Sequence, residues 1–130
     1  MTNSADTKLK ALLVEDNVEN RDVITYFIKS MCTVDPAPDA PTALQMVSEK
    51  QYDIILMDIN LGLGMNGMEA TKRIREMEGY SSTPIVAVTA YAMVGDREAF
   101  LKAGCSAYIS KPFTKQEILD LLATVVKSPV

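Results

Sequence analysis

The stretch DIILM, residues 53–57, sets the reading of the chain. Ile54, Ile55, Leu56 and Met57 follow one another without a polar break. A half-buried strand would alternate, and a surface helix would keep a polar side. A short unbroken apolar run bounded by polar residues reads as a strand buried on both faces, as in a parallel sheet. The same pattern recurs in KALLV (10–14), IVAV (85–88) and AYI (107–109). Between these runs the apolar spacing becomes helical. Val23, Ile24, Phe27, Ile28 and Met31 form one stripe, and Ile118, Leu121, Leu122, Val125 and Val126 another. Thr114 and Glu117 have the spacing of a capping box, and Gly79 and Gly104 stand where helices would stop. A further strand is needed at CTVDPA (32–37); Pro36 places it at a sheet edge, where a missing N–H is tolerated. The whole reads as α/β, a doubly wound (βα)5 chain: a five-stranded parallel sheet with helices on both faces. Residues 1–8 read as a flexible N-terminal tail, 9–127 as the domain and 128–130 as a C-terminal tail.

Composition narrows the function. The 130 residues, 48% of them hydrophobic, suit one domain with its own core. A net charge of −4 and the lack of any Lys/Arg run argue against direct DNA binding. No apolar run reaches the roughly 18 residues of a membrane span, and MTNSADTKLK lacks the order of a signal peptide. Cys32 and Cys105 are distant and form no C-x-x-C pair, which suits small core or near-surface residues in a reducing, cytoplasmic setting. The chain has no histidine. Ser-His-Asp and Cys-His catalysis, His-ligated metals and a phosphohistidine on this chain are therefore excluded.

In such a fold, ligands bind beyond the carboxyl ends of the strands. Glu15 and Asp16 follow the first strand, Asp58 the third, Thr89 the fourth and Lys111 the fifth. Gly62, Gly64 and Gly67 have the G-x-G-x-x-G spacing of a dinucleotide loop, but Asp58, Ile59, Asn60 and Leu61 separate them from their strand. The next strand ends without the acid that would bind a ribose, and the rim acids would repel a pyrophosphate. The glycines instead read as residues that permit unusual backbone angles in a tight loop before a helix. Three carboxylates crowded at one rim call for a hard divalent cation such as Mg²⁺. One acid can serve as a nucleophile, while Lys111 and Thr89 bind phosphoryl oxygens.

At this point the chain resembles a bacterial two-component response-regulator receiver domain. It is chemotaxis-regulator-like and similar to the receivers of hybrid histidine kinases. LLVEDN (12–17), DIILMDIN (53–60), IVAVTAYA (85–92) and GCSAYISKPF (104–113) carry the likeness, which spans about residues 9–127. It implies a flavodoxin-like sheet of order 2-1-3-4-5. It also implies Asp58 as phosphoacceptor, with Asp16 on Mg²⁺ and Glu15 reaching the metal directly or through water. The Asn60 backbone carbonyl would be a further metal ligand, and Mn²⁺ may take the place of Mg²⁺. Thr89 and Lys111 would bind the phosphoryl group, Thr89 and Tyr108 act as the switch, and Asn60 and Tyr91 tune its lifetime. The Lys111–Pro112 bond is often cis in this family. The chain departs from the commonest pattern at Gly62, where proline is usual, at Ala40, where glycine is common, and in a loop to Gly67 one residue longer. A sensor histidine kinase or phosphotransfer protein would be the donor. With only three residues after Lys127, either output is by protein contact, through helix 4 (about 93–103), strand 5 and helix 5 (about 114–127), or the chain is an excised domain of something larger. The alternatives are a Mg²⁺-dependent phosphatase with an Asp nucleophile, against which Asn60 stands where a leaving-group acid is needed, and a binding module that is never phosphorylated.

Overall fold

The computed structural model describes residues 8–61, 65–90 and 96–127. Five strands alternate with five helices: β1 (Leu9–Val14), α1 (Val18–Ile28), β2 (Cys32–Ala37), α2 (Ala40–Glu49), β3 (Ile54–Asp58), α3 (Gly67–Arg75), β4 (Ile85–Thr89), α4 (Asp96–Ala103), β5 (Ala107–Ser110) and α5 (Lys115–Lys127). The strands pair in parallel in the order β2-β1-β3-β4-β5. The fold is flavodoxin-like, as the sequence implied, and β2 with its Pro36 lies at the edge.

The two-residue period of a strand divides the apolar runs between two cores. Leu12, Val14, Ile55, Met57, Ile85 and Ala87 face α2, α3 and α4, where Val47, Ile74 and Phe100 cover them. Ala11, Leu13, Ile54, Leu56, Val86 and Val88 face α1 and α5, which contribute Ile24, Ile28, Ile118 and Leu122. Cys32 and Cys105 are free thiols, one in each core.

Short polar side chains start the helices by satisfying N–H groups that lack a partner in the first turn. Asn17 caps α1, Asp39 caps α2 and Asn66 caps α3. The capping box at α5 is formed: Glu117 accepts from the Thr114 N–H at 2.8 Å, and Thr114 Oγ1 accepts from the Glu117 N–H at 3.0 Å. Gly104 follows α4 directly at φ 112°, and Cys105 N–H donates to Phe100 O at 3.0 Å, closing that helix.

Several sequence expectations need correction. Val23 is 50% exposed, so it lies outside the buried stripe of α1 that Ile24 and Ile28 form. Gly79 does not end a helix, because α3 stops at Arg75; it sits at φ 89° in the turn in which Tyr80 N–H donates to Met77 O at 3.1 Å. Gly67 has no positive φ. Its requirement is space: a Cβ there would stand 2.8 Å from Ile59 Cα and closer still to the Asp58 carbonyl oxygen. Gly62 and Gly64, the tails at 1–7 and 128–130, and Tyr91 lie outside the described residues. So does the start expected for helix 4 at 93; the described helix begins at Asp96.

Because rigid backbone opposes that Cβ, Gly67→Ala will lower the free energy of unfolding by about 1–3 kcal/mol. Urea unfolding followed by far-UV circular dichroism measures it.

Candidate functional site

Parallel pairing brings the sequence-selected rim residues together. Glu15 follows β1 and is 1% exposed; Asp58 and Thr89 end β3 and β4 and are 3% and 2% exposed. Lys111 follows β5, and its backbone N–H donates to Thr89 O at 2.7 Å, which locks the two strand ends together. The Lys111 ammonium lies 3.2 Å from Glu15 Oε1 and 3.7 Å from Asp58 Oδ2. Asp58 Oδ1 accepts the Asn60 backbone N–H at 2.9 Å, so the carboxylate plane is set from one side while Oδ2 faces the lysine. Asp16, the next residue after Glu15, is exposed. One carboxylate oxygen from each of Glu15, Asp16 and Asp58 lies within 4.8 Å of the others.

The Lys111–Pro112 peptide is cis. Tyr108 is half-buried in β5, its ring 5.7 Å from that of Phe100 on α4. A cavity of about 620 Å³ lies elsewhere, between Leu9, Pro84, Ser106 and Val125. Its one acid, Asp53, already accepts the Lys10 N–H at 2.8 Å, so it gathers no cluster of charged groups.

Residues 11–123 match the response regulator receiver domain. The chain belongs to that family. The receiver domain of the Pseudomonas aeruginosa sensor histidine kinase PA1611 is 38% identical with a TM-score of 0.85, across 93% of this chain and 99% of that one. That structure is described as having a magnesium ion coordinated in its active site cleft. The Vibrio cholerae chemotaxis response regulator CheY4 is 27% identical with a TM-score of 0.86, across 92% of this chain and 99% of that one. Among curated proteins, hybrid signal transduction histidine kinase I of Dictyostelium discoideum is 38% identical over 125 residues, which is 90% of this chain. The autoinducer 2 sensor kinase/phosphatase LuxQ of Vibrio vulnificus is 42% identical over 115 residues, or 88% of this chain. The chain spans 7% of the first and 13% of the second. The receiver is thus a module of two-component and phosphorelay systems. Among its described residues, no helix is long and apolar enough to cross a membrane.

The electrostatics of the receiver's rim follow from burial. Loss of solvent pushes the Glu15 carboxyl above the ordinary glutamate range. The charge of Asp58 pushes the same way, and Lys111 opposes both. A hard cation suits such a site, because oxygen donors and clustered negative charge are what it prefers. The donor set is all carboxylate, with no soft ligand among the three groups.

Sequence reasoning passed over three residues that hold this site. The Asn17 N–H donates to Glu15 Oε2 at 3.3 Å, and Asn20 Nδ2 donates to the same oxygen at 3.5 Å. Arg21 Nη1 donates to the Glu15 backbone carbonyl at 3.2 Å. The available signal was an asparagine directly after Glu15-Asp16, placed to cap a helix whose first turn folds back over the acids.

Because the folded state binds the Glu15 proton more tightly than the unfolded chain does, that group's contribution to stability is complete below the ordinary glutamate value of 4.5. It is lost as pH rises through the raised value. In EDTA, the wild type will therefore lose stability relative to Glu15→Gln as pH rises above the ordinary glutamate range, and the gap will level off at higher pH. Urea midpoints of the two proteins across pH 4–8 check the sign.

Proposed function

We propose that this receiver is a phosphorylation-activated switch that takes a phosphoryl group from a phosphohistidine onto Asp58. The donor is a sensor histidine kinase or a phosphotransfer protein. The observation that carries this reading is the position of Asp58: a buried carboxylate, steadied through Oδ1 by the Asn60 N–H, with its other oxygen toward Lys111 and two further acids beside it.

An Asp58 carboxylate oxygen attacks phosphorus and forms a P–O bond. The P–N bond to the donor imidazole breaks, and its electron pair stays on the ring nitrogen. Lys111 turns from Glu15 toward the phosphoryl oxygens, and the Thr89 hydroxyl donates to another of them. Asp16, Asp58, the Asn60 carbonyl and Glu15, directly or through water, would hold Mg²⁺ or Mn²⁺. The bound cation supplies positive charge against the phosphoryl oxygens. Asn60 and Tyr91 set how readily water reaches the acyl phosphate. The chain acts on its own carboxylate rather than turning over a substrate, which separates it from a phosphatase.

A phosphoryl group adds roughly two negative charges and new acceptor oxygens. Thr89 moves toward them, and Tyr108 follows into the vacated space. Tyr108 packs on Phe100 of α4, so its movement alters the face made by α4, β5 and α5. That face meets a downstream protein in the cytoplasm, without direct contact to DNA. Phosphate biases two pre-existing conformers rather than creating one. Residues 9–127 form the functional unit.

Asp58→Asn will abolish acetyl-phosphate labelling, and EDTA will abolish it in the wild type; labelling of Asp58→Asn at the wild-type level rejects the assignment. Beryllofluoride with Mg²⁺ will shift NMR signals across residues 96–127, and changes confined to the Asp58 surroundings would reject the output face.

A further inference from the structure

Glu15 presents a positioning problem. Its side chain is one methylene longer than an aspartate, carries an extra rotatable bond and is buried at the rim. The two oxygens are held from opposite sides. Oε1 takes the Lys111 ammonium at 3.2 Å, whereas Oε2 takes the Asn17 N–H at 3.3 Å and Asn20 Nδ2 at 3.5 Å. Lys111 is shared with Asp58 at 3.7 Å, so its hold on Glu15 weakens whenever it turns to another anion. The α1 side of the grip has no such second duty.

Asn20 closes a small ring of hydrogen bonds on that side. Its backbone N–H donates to Asn17 Oδ1 at 2.8 Å, the Asn17 N–H donates to Glu15 Oε2, and the Asn20 amide returns to the same Oε2. Arg21, the next residue, holds the Glu15 carbonyl at 3.2 Å, so side chain and backbone of Glu15 are both anchored to the first turn of α1.

We infer that Asn20 is a positioning residue for divalent-cation binding: by holding Glu15 Oε2 against α1, it keeps the Glu15 carboxylate beside Asp16 and Asp58. This deepens the proposed function and rests on its reading of the metal site. Asn20 itself does not touch the cation; it acts through Glu15, as hydrogen-bond partners of ligating carboxylates do elsewhere. Two tasks thus fall to neighbouring residues of one helix turn. Asn17 starts the helix, and Asn20 ties the helix to the acid.

The experiment is a Mg²⁺ titration followed by ¹H–¹⁵N NMR shifts at fixed pH, which reads affinity without any phosphoryl transfer. Asn20→Ala is expected to weaken Mg²⁺ about tenfold. Alanine is the better helix former, so the variant keeps α1; Asn20→Leu, similar in size and shape and without a donor, will show the same loss. In a Glu15→Ala background, Asn20→Ala will cause little further change, because its effect runs through Glu15. Unchanged affinity in Asn20→Ala overturns the inference. So does an equal loss with and without the Glu15 side chain, which would mark a general effect on α1. Absence of Mg²⁺ binding by the wild type would instead overturn the metal-site reading beneath it.

Discussion

Parallel pairing of β3 with both β1 and β4 is the constraint from which the rest of the molecule follows. It orients the strands alike, so their carboxyl ends lie on one side. It also buries both faces of the central strands, which is why helices must cover the sheet above and below. The rim then collects whatever residue follows each strand. Had β3 run antiparallel to β1, Asp58 and Glu15 would stand at opposite ends of the sheet.

The same arrangement creates an electrostatic problem. Glu15 and Asp58 are buried side by side, and burial alone disfavours a charged carboxylate. Lys111 offsets part of this from β5, reaching both acids. The Asn60 and Asn17 N–H groups offset more by donating to Asp58 and Glu15. Under the proposed function, such a rim would respond to added charge, whether a cation among the acids or a phosphoryl group facing the lysine. Arg75 lies at the end of α3. Its Nε donates to Gly104 O at 2.9 Å and its Nη1 to Tyr80 O at 2.7 Å, so the C-terminal end of α4 is tied to α3.

Much of this was legible in the residues. The apolar runs marked β1, β3, β4 and β5, but only β3 and β4 are buried along their whole length; β5, at the other edge of the sheet, is half-buried. Pro36 marked the edge strand, because an edge has no partner for the missing N–H on one side. The five rim residues could be named, because in a parallel sheet position after a strand is position at the rim. The misreadings concern contacts rather than elements. Val23 has helical spacing but faces solvent, since a stripe's width depends on how the helix sits on the sheet. Gly67 was read as a backbone-angle residue, whereas the backbone of Asp58 and Ile59 is what excludes a side chain.

By itself, then, the sequence determined the fold class, the family and the chemical character of the rim, since all three rest on residue type and spacing along the chain. The tertiary structure alone decided which oxygen of Glu15 faces Lys111, that Lys111 is shared between two acids, and that Asn20 and Arg21 reach back from α1 to hold the first of them. These are relations across as many as 96 residues of chain, set by where α1 and β5 stand relative to the end of β1, and no local pattern encodes a distance.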